Sequence, residues 1–173
     1  MNIIDCGRSY SDSILAILNE VIDSSTALYD YLPRTTQMMF NWFAAKEQAN
    51  YPVIGAIDDR ARLLGFATYG PFRNWPAYKY TVEHSVYVER SCRGAGVGKR
   101  LLSELIAAAK RQDYHCLIGG IDAQNAASIA LHRQFGFEQC GQLRQVGYKF
   151  NRWLDLQFYQ LILETPARPL DDR

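Results

Sequence analysis

The sequence has few cysteines, no apolar run long enough to span a membrane and no recognisable signal segment. Four cysteines are scattered over 173 residues without a Cys-x-x-Cys pair, so the chain offers neither a zinc-binding pattern nor a disulfide framework. We therefore expect free thiols, no bound metal and a reducing, cytoplasmic environment. A membrane span needs roughly 20 consecutive apolar residues, and a secretory signal begins with a basic segment before an apolar stretch. We expect neither in this protein.

The sequence also lacks an excess of either charge. Lys and Arg number 19, Asp and Glu number 18, and the net charge is +1. Because nucleic-acid-binding proteins carry surplus basic residues to neutralise phosphates, this balance argues against a nucleic-acid partner. The remaining composition, 48% hydrophobic and 21% charged, is that of an ordinary globular protein. The length predicts one domain, which we place at 1–165 with a short tail at 166–173.

The apolar spacing predicts an α/β (α+β) chain in which strands and helices are interleaved. Strands are expected at 2–6, 53–57, 63–69, 82–88, 116–121, 138–150 and 153–163. Helices are expected after a cap at Ser11 or Asp12, after Thr35, from the glycine-rich loop to about Gln112, and at 125–135. Along the strand 82–88, His84 points to one face with the valines, while Glu83 points to the other.

A glycine-rich loop, Arg93-Gly94-Ala95-Gly96-Val97-Gly98, lies between that strand and the next helix. Glycines let the backbone approach an anion, and the helix N-terminus directs free N–H groups at it. A Walker A loop would need Gly at 93 and Ser or Thr at 100, where the chain has Arg93 and Arg100. The three glycines are spaced G-x-G-x-G, which departs from the dinucleotide-binding fingerprint. The loop predicts a phosphate site of another kind, with a plain surface turn as the alternative.

The loop and a later block resemble one known superfamily. Arg93, Gly96 and Gly98 match the pattern R-x-x-G-x-G/A of the GCN5-related N-acetyltransferase (GNAT) superfamily, and the block 125–137 resembles its late helix, N-x-x-A-x-x-x-Y-x-x-x-G-F. His132 stands where many members have Tyr. The resemblance implies a mixed, strongly twisted central sheet flanked by helices, with acetyl-CoA as co-substrate.

Further segments are similar to one branch of this superfamily. They are 26–31, 82–88 and 149–155. That branch contains the phosphinothricin and methionine sulfoximine N-acetyltransferases, which act on the α-amine of small amino-acid analogues. The resemblance extends from about Ile3 to Leu163 and implies a homodimer.

The resemblance implies cofactor-binding residues on the strand, the loop and the late helix. They are Val86, Tyr87, Val88, Arg93, Gly94, Ala95, Gly96, Val97, Gly98, Lys99, Asn125 and Ser128. The three strand residues would contribute backbone N–H groups, and the last two would contact the pantetheine arm. Asn125 could equally be only a helix cap.

Two residues are the candidates for catalysis. Glu83 is interpreted as the general base, acting directly or through water, with an exposed glutamate without a role as the alternative. His132 would protonate the leaving thiolate or order a water there, unless it is only structural; His84 is expected to be structural. No histidine stands near Cys92 in the sequence to activate it, so we expect direct attack in a ternary complex without an acyl-enzyme.

The loop at 70–76 predicts the substrate class. The Arg73 guanidinium suits a carboxylate, and Trp75 and Tyr29 suit the apolar wall of an amino-acid site. The alternative is a solvated Arg73 with a buried Trp75. Two other functions stay open: acetylation of a different amine, such as a protein N-terminus or a polyamine, and a non-catalytic CoA-binding sensor. Arg73 argues against a polyamine, because such a pocket should be acidic.

Overall fold

A computed structural model describes residues 1–171 as one sheet with helices on both faces. The strands are β1 (Asn2–Asp5), β2 (Val53–Ile57), β3 (Leu63–Pro71), β4 (Thr81–Val88), β5 (Cys116–Asp122), β6 (Glu138–Lys149) and β7 (Arg152–Ile162). The helices are α1 (Ser11–Ser24), α2 (Thr36–Gln48), α3 (Val97–Arg111) and α4 (Ala126–Gln134). The sheet order is β1-β2-β3-β4-β5-β7-β6, with β4 and β5 parallel and the other neighbours antiparallel. The predicted mixed sheet flanked by helices is confirmed.

The core lies in two layers, one on each face of the sheet. Leu101, Leu102 and Leu105 of α3 are fully buried against one face, because their spacing forms an apolar stripe along the helix. Helices α1 and α2 cover the other face, where Ile14 and Met39 are buried. Both faces of β2 and β3 are therefore largely removed from water.

The structure corrects one prediction about a helix start. Helix α1 begins at Ser11 after a 3₁₀ turn, and neither Ser11 nor Asp12 is its cap; Tyr10 occupies the N-cap without a side-chain hydrogen bond. The turn brings Ser11 into the helical region already, whereas a capping residue has extended backbone. The start of α2 is as expected, because the Thr35 side chain accepts a hydrogen bond from the Met38 N–H. Gly136, with φ of +82°, follows α4 as predicted.

The parallel strands β4 and β5 separate after a short paired stretch. Thr81–Glu83 pairs with Cys116–Ile118, whereas β4 continues to Val88 paired with β3 alone. The backbone N–H and C=O groups of residues 84–88 that point toward β5 therefore have no strand partner. This separation opens the cleft that contains the candidate site.

Beyond Ile162, the described chain forms no further strand or helix. The Leu170 N–H donates to the Tyr80 hydroxyl at 2.9 Å, which holds part of this segment near β4. The division into one domain and a tail at 166–173 stays a prediction, and 172 and 173 lie outside the described residues.

Three further findings hold for residues 1–171. No helix there is long and apolar enough to cross a membrane. No three His, Cys, Asp or Glu side chains in this range are grouped so that they could hold a metal ion. The four cysteines are free thiols, with Cys6 buried and Cys140 exposed.

Candidate active site

A cavity of about 1110 Å³ lies where β4 and β5 separate. Most of the residues predicted for the site line it together. They are Tyr29, Glu83, Val86, Tyr87, Val88, Arg93, Gly94, Gly96, Val97, Gly98, Lys99, Asn125, Ser128 and His132. Three other predicted residues, Arg73, Trp75 and Ala95, do not line it. Residues from widely separated segments of the chain thus meet at one place.

The glycine-rich loop leaves the N-terminus of α3 uncovered. Gly96 is the N-cap of α3, with φ of +82° and no side-chain cap hydrogen bond. Gly94 has φ of +78°, and a Cβ at either glycine would meet no atom within 4 Å. The free N–H groups of the first turn and the helix dipole favour an anion here. The Val97 side chain is buried, so only its backbone can contribute. These residues fit the pyrophosphate of acetyl-CoA.

The Arg93 guanidinium is bonded within the protein. Its Nε donates to the Val88 carbonyl at 3.1 Å, and its Nη2 forms an ion pair with Glu20 of α1. These bonds fasten the loop to the end of β4 and to α1. In this arrangement Arg93 holds the shape of the loop.

The predicted strand residues present backbone to the cavity. The side chains of Val86 and Val88 pack against the core on the α3 side, and the Tyr87 ring packs against Phe66 on the other side, with ring centroids 5.4 Å apart. Because their side chains point above and below the sheet, the edge facing β5 is made of N–H and C=O groups without strand partners. Such an edge can bond a ligand that lies between the two strands.

Glu83 is a half-buried carboxyl group in the cavity wall. Burial raises its pKa above the ordinary glutamate value, and the positive charge of Arg73 partly offsets this rise. A Cβ at position 120 of β5 would lie 3.3 Å from Glu83 Oε1, so Gly120 leaves room for the carboxylate. A carboxylate with a raised pKa is better suited to accept a proton from an ammonium group.

His132 forms a buried pair with His84 on the opposite face of the sheet from Glu83. His132 Nδ1 lies 2.7 Å from the Ser128 carbonyl, and the two Nε2 atoms lie 2.8 Å apart. Because a carbonyl only accepts, neutral His132 donates from Nδ1 and accepts at Nε2 from His84 Nε2–H. Burial lowers the pKa of both rings, and a positive charge on His132 would lower that of His84 further. Both ring nitrogens of His132 are therefore engaged.

Asn125 and Ser128 begin α4 beside the cavity. The Asn125 Oδ1 accepts a hydrogen bond from the Ser128 N–H at 3.1 Å, so Asn125 is the helix cap that the sequence also allowed. Its amide NH₂ group is not used in this cap. The Ser128 hydroxyl lies 3.4 Å from His132 Nδ1.

The two residues predicted on the substrate loop are exposed outside the cavity. The Arg73 guanidinium stacks over the Phe72 ring at 4.4 Å and donates to the Phe72 carbonyl at 2.9 Å. Trp75 is 68% exposed, so the alternative of a buried Trp75 is wrong. The sequence of a loop shows which side chains suit a ligand, but it does not show where the loop lies relative to the cavity. Arg73 nevertheless lies close enough to Glu83 to act on its pKa.

The third predicted substrate residue, Tyr29, lies in the cavity wall because of contacts from the β6–β7 hairpin. A Cβ at position 147 would lie 3.0 Å from its ring, so Gly147 makes room for the ring. The buried Lys149 donates three hydrogen bonds to carbonyls of the chain that leads to Tyr29: Ile22 at 2.6 Å, Ser25 at 2.9 Å and Leu28 at 2.8 Å. The sequence pattern did not identify Lys149, although it begins one of the segments that resemble the branch.

Comparisons with known proteins identify the family of the chain. A family model described as the acetyltransferase (GNAT) family matches residues 15–137. An L-methionine sulfoximine/L-methionine sulfone acetyltransferase of Pseudomonas paraeruginosa is 44% identical over 167 residues, with 96% of each chain covered. A solved structure from Acinetobacter baylyi is 51% identical, with a TM-score of 0.97, covering 99% of this chain and 96% of that chain.

A second solved structure contains the co-substrate. The crystal structure of a GNAT superfamily phosphinothricin acetyltransferase from Sinorhizobium meliloti in complex with acetyl-CoA is 34% identical, with a TM-score of 0.94, covering 99% of this chain and 93% of that chain. Because the family model spans most of the chain and the Pseudomonas relative matches nearly all of it, the chain belongs to the acetyltransferase (GNAT) family and is an acetyl-CoA-dependent N-acetyltransferase.

Proposed function

We propose that the protein transfers the acetyl group of acetyl-CoA to the α-amine of a small amino-acid analogue, of the methionine sulfoximine, methionine sulfone or phosphinothricin type. The observation that carries this proposal is the carboxyl of Glu83, with its raised pKa, in the same cavity as the uncovered N-terminus of α3. The activities named for the Pseudomonas and Sinorhizobium relatives support the substrate class.

Different elements of the protein bind different parts of the co-substrate. Acetyl-CoA supplies an activated acetyl group. The N–H groups at the start of α3 and the exposed Lys99 bind its pyrophosphate, and the unpaired edge of β4 binds the acetyl and pantetheine units. The Asn125 amide NH₂ and the Ser128 hydroxyl contact the pantetheine arm. Ala95 does not line the cavity, and we assign no role to its side chain.

Glu83 accepts the proton that the substrate ammonium must lose before it attacks. The amine nitrogen then bonds to the thioester carbonyl carbon, and the C–S bond breaks as the thiolate leaves, so that no acyl-enzyme forms. We infer that water protonates the thiolate, because both ring nitrogens of His132 are engaged within the protein and burial keeps the ring neutral, which leaves His132 with the structural role that the sequence also allowed.

Arg73 is the residue that we assign to the α-carboxylate of the substrate. Its positive charge opposes the rise in the pKa of Glu83 that burial causes, which supports a position near the base. Its contact with the Phe72 ring is weak and exposed, and a carboxylate can replace it with a bidentate, charged pair.

We further propose that the active protein is a homodimer formed through an apolar patch on the β6–β7 hairpin. The patch consists of Leu143, Val146, Tyr148, Phe150 and Trp153, each between 46% and 58% exposed. Tyr148 and Trp153 are a cross-strand pair with ring centroids 5.1 Å apart. Large exposed apolar groups gathered on one hairpin are typical of interaction surfaces.

An acetyl-CoA turnover assay over a panel of amines tests the function. Release of free CoA should be faster with amino-acid analogues of the methionine sulfoximine, methionine sulfone or phosphinothricin type than with polyamines and peptides. A preference for a polyamine or a protein N-terminus would overturn the substrate class. Binding of acetyl-CoA without turnover on any amine would identify a CoA-binding sensor instead.

A further inference from the structure

One end of the cavity carries buried polar groups without hydrogen-bond partners. Asp122, at the end of β5, is 3% exposed, and its Oδ1 accepts a hydrogen bond from the Gln124 N–H at 2.7 Å. Its Oδ2 and the hydroxyl of Tyr29 are both buried without a hydrogen-bond partner. Asp122 Oδ2 faces the Arg152 guanidinium at 4.0 Å, which is too long for a hydrogen bond. All three residues line the cavity.

Leaving these groups unpaired is unfavourable. A buried polar atom without a partner loses its hydration and gains nothing in return, and the loss is larger for a charged oxygen. The negative charge of Asp122 also contributes, after burial, to raising the pKa of Tyr29. The cluster is therefore arranged for hydrogen bonds that the chain itself does not make.

The cluster lies on the same face of the sheet as Glu83. A Cβ at Gly120 would approach Glu83 Oε1, so the side-chain direction at position 120 is toward the base. Asp122 is two residues further along β5 and points the same way. Two strand residues span about 6.6 Å. That distance matches the reach of an amino acid from its α-amine to a polar group at the end of its side chain.

We propose that Tyr29, Asp122 and Arg152 form the subsite for the distal polar group of the amino-acid substrate, and that they favour an uncharged group that accepts hydrogen bonds over an anionic one. A sulfoximine or a carboxamide has this chemistry. The Tyr29 hydroxyl and the Arg152 guanidinium donate to its oxygen, and Asp122 Oδ2 accepts from its N–H. This inference rests on the proposed function, because it takes Glu83 as the base for the α-amine.

The charges of the cluster explain the selection against an anionic side chain. The Asp122 side chain is almost wholly buried, whereas 38% of the Arg152 side chain is exposed. Solvent therefore screens the positive charge more than the negative one. A phosphinate or a carboxylate placed here would be repelled by Asp122 at close range.

The experiment compares kcat/KM for L-methionine sulfoximine, phosphinothricin and unoxidised L-methionine in the full-length enzyme. Asp122→Asn keeps the bond to Gln124 but removes the charge, and we expect the ratio of sulfoximine to phosphinothricin to fall about tenfold or more. Tyr29→Phe removes only the hydroxyl, and we expect kcat/KM for sulfoximine to fall about threefold to tenfold relative to methionine. If Asp122→Asn folds poorly, Tyr29→Phe by itself tests the proposal.

Asp155→Asn is the matched control. Asp155 also acts electrostatically on Tyr29, but its oxygens accept from the Gln145 N–H and the Gln142 side chain, and it does not line the cavity. For this control, the ratio of kcat/KM for L-methionine sulfoximine to that for phosphinothricin should equal the wild-type ratio. If the wild type acetylates sulfoximine and neither cluster variant changes its substrate ratios, the subsite is wrong and the proposed function stands. If the wild type acetylates none of the three amino acids, the proposed function fails and the subsite fails with it.

Discussion

At the scale of single residues, Glu83 has the most direct consequence for activity. Glu83→Gln removes the proton acceptor but keeps the shape of the side chain. We expect kcat to fall by roughly 10² to 10⁴, with the greatest loss at low pH, where the substrate amine stays protonated unless a base assists. Acetyl-CoA affinity should change little. Measurement of kcat across pH checks this, with exposed Glu138→Gln as the control. A pH–rate profile identical to the wild type would remove Glu83 from the mechanism.

The buried histidine pair makes a prediction about stability and pH. Both His84 and His132 have pKa values lowered from the ordinary value of 6.5, with that of His84 at about 3. Below pH 6.5 the unfolded chain therefore takes up a proton on each ring more readily than the folded protein does. The contribution of the pair to the free energy of unfolding is therefore fully present above pH 6.5. It is lost as pH falls below that value, by up to about 1.4 kcal/mol per pH unit for each ring.

Urea unfolding at pH 7.5 and pH 5.5 measures this loss. The free energy of unfolding of the wild type should fall more between the two pH values than that of a His84→Gln, His132→Gln double variant. Carboxylates that titrate in the same range contribute to both proteins, so the difference between them isolates the pair. An equal fall in both would contradict the lowered pKa values.

At the scale of elements, the N-terminus of α3 is the part that binds the co-substrate. Gly96→Asp places a carboxylate where an anion must approach, and we expect acetyl-CoA affinity to fall more than tenfold, which is about 1.4 kcal/mol or more. Gly136→Asp is a matched control, because Gly136 has the same φ of +82° and lies outside the cavity. It should carry the same backbone strain and bind acetyl-CoA normally. Unchanged binding in the Gly96 variant by calorimetry would contradict the cofactor assignment.

At the scale of the whole molecule, the apolar patch on the β6–β7 hairpin predicts association. The chain has a mass of 19.8 kDa, and light scattering should give about twice this value for the wild type. Trp153→Glu introduces a charge into the patch and should give the monomer mass. Leu170→Glu is the control, because Leu170 is also exposed but lies in the C-terminal segment. A monomeric wild type, or a dimeric Trp153 variant, would show that the hairpin is not the interface.

Much of the fold could be predicted from the sequence, because it depends on local patterns. The alternation along β4 assigned Glu83 and His84 to opposite faces, since side chains of a strand point alternately up and down. The glycine at 136 was expected to end a helix, and its φ of +82° is one that glycine adopts without strain. The loop at 93–98 predicted a phosphate site, because glycines before a helix leave its first N–H groups open.

By itself, the sequence determined the order of the elements, the glycine-rich loop and the family, all of which follow from neighbours in the chain. Only the tertiary structure decided which side chains meet. It paired His132 with His84 and left Trp75 in solvent. It also bonded Lys149 to three carbonyls of the chain that leads to Tyr29. These contacts join residues on separate strands, helices and loops. Their burial and hydrogen bonding depend on how those elements pack, which no local pattern of residues encodes.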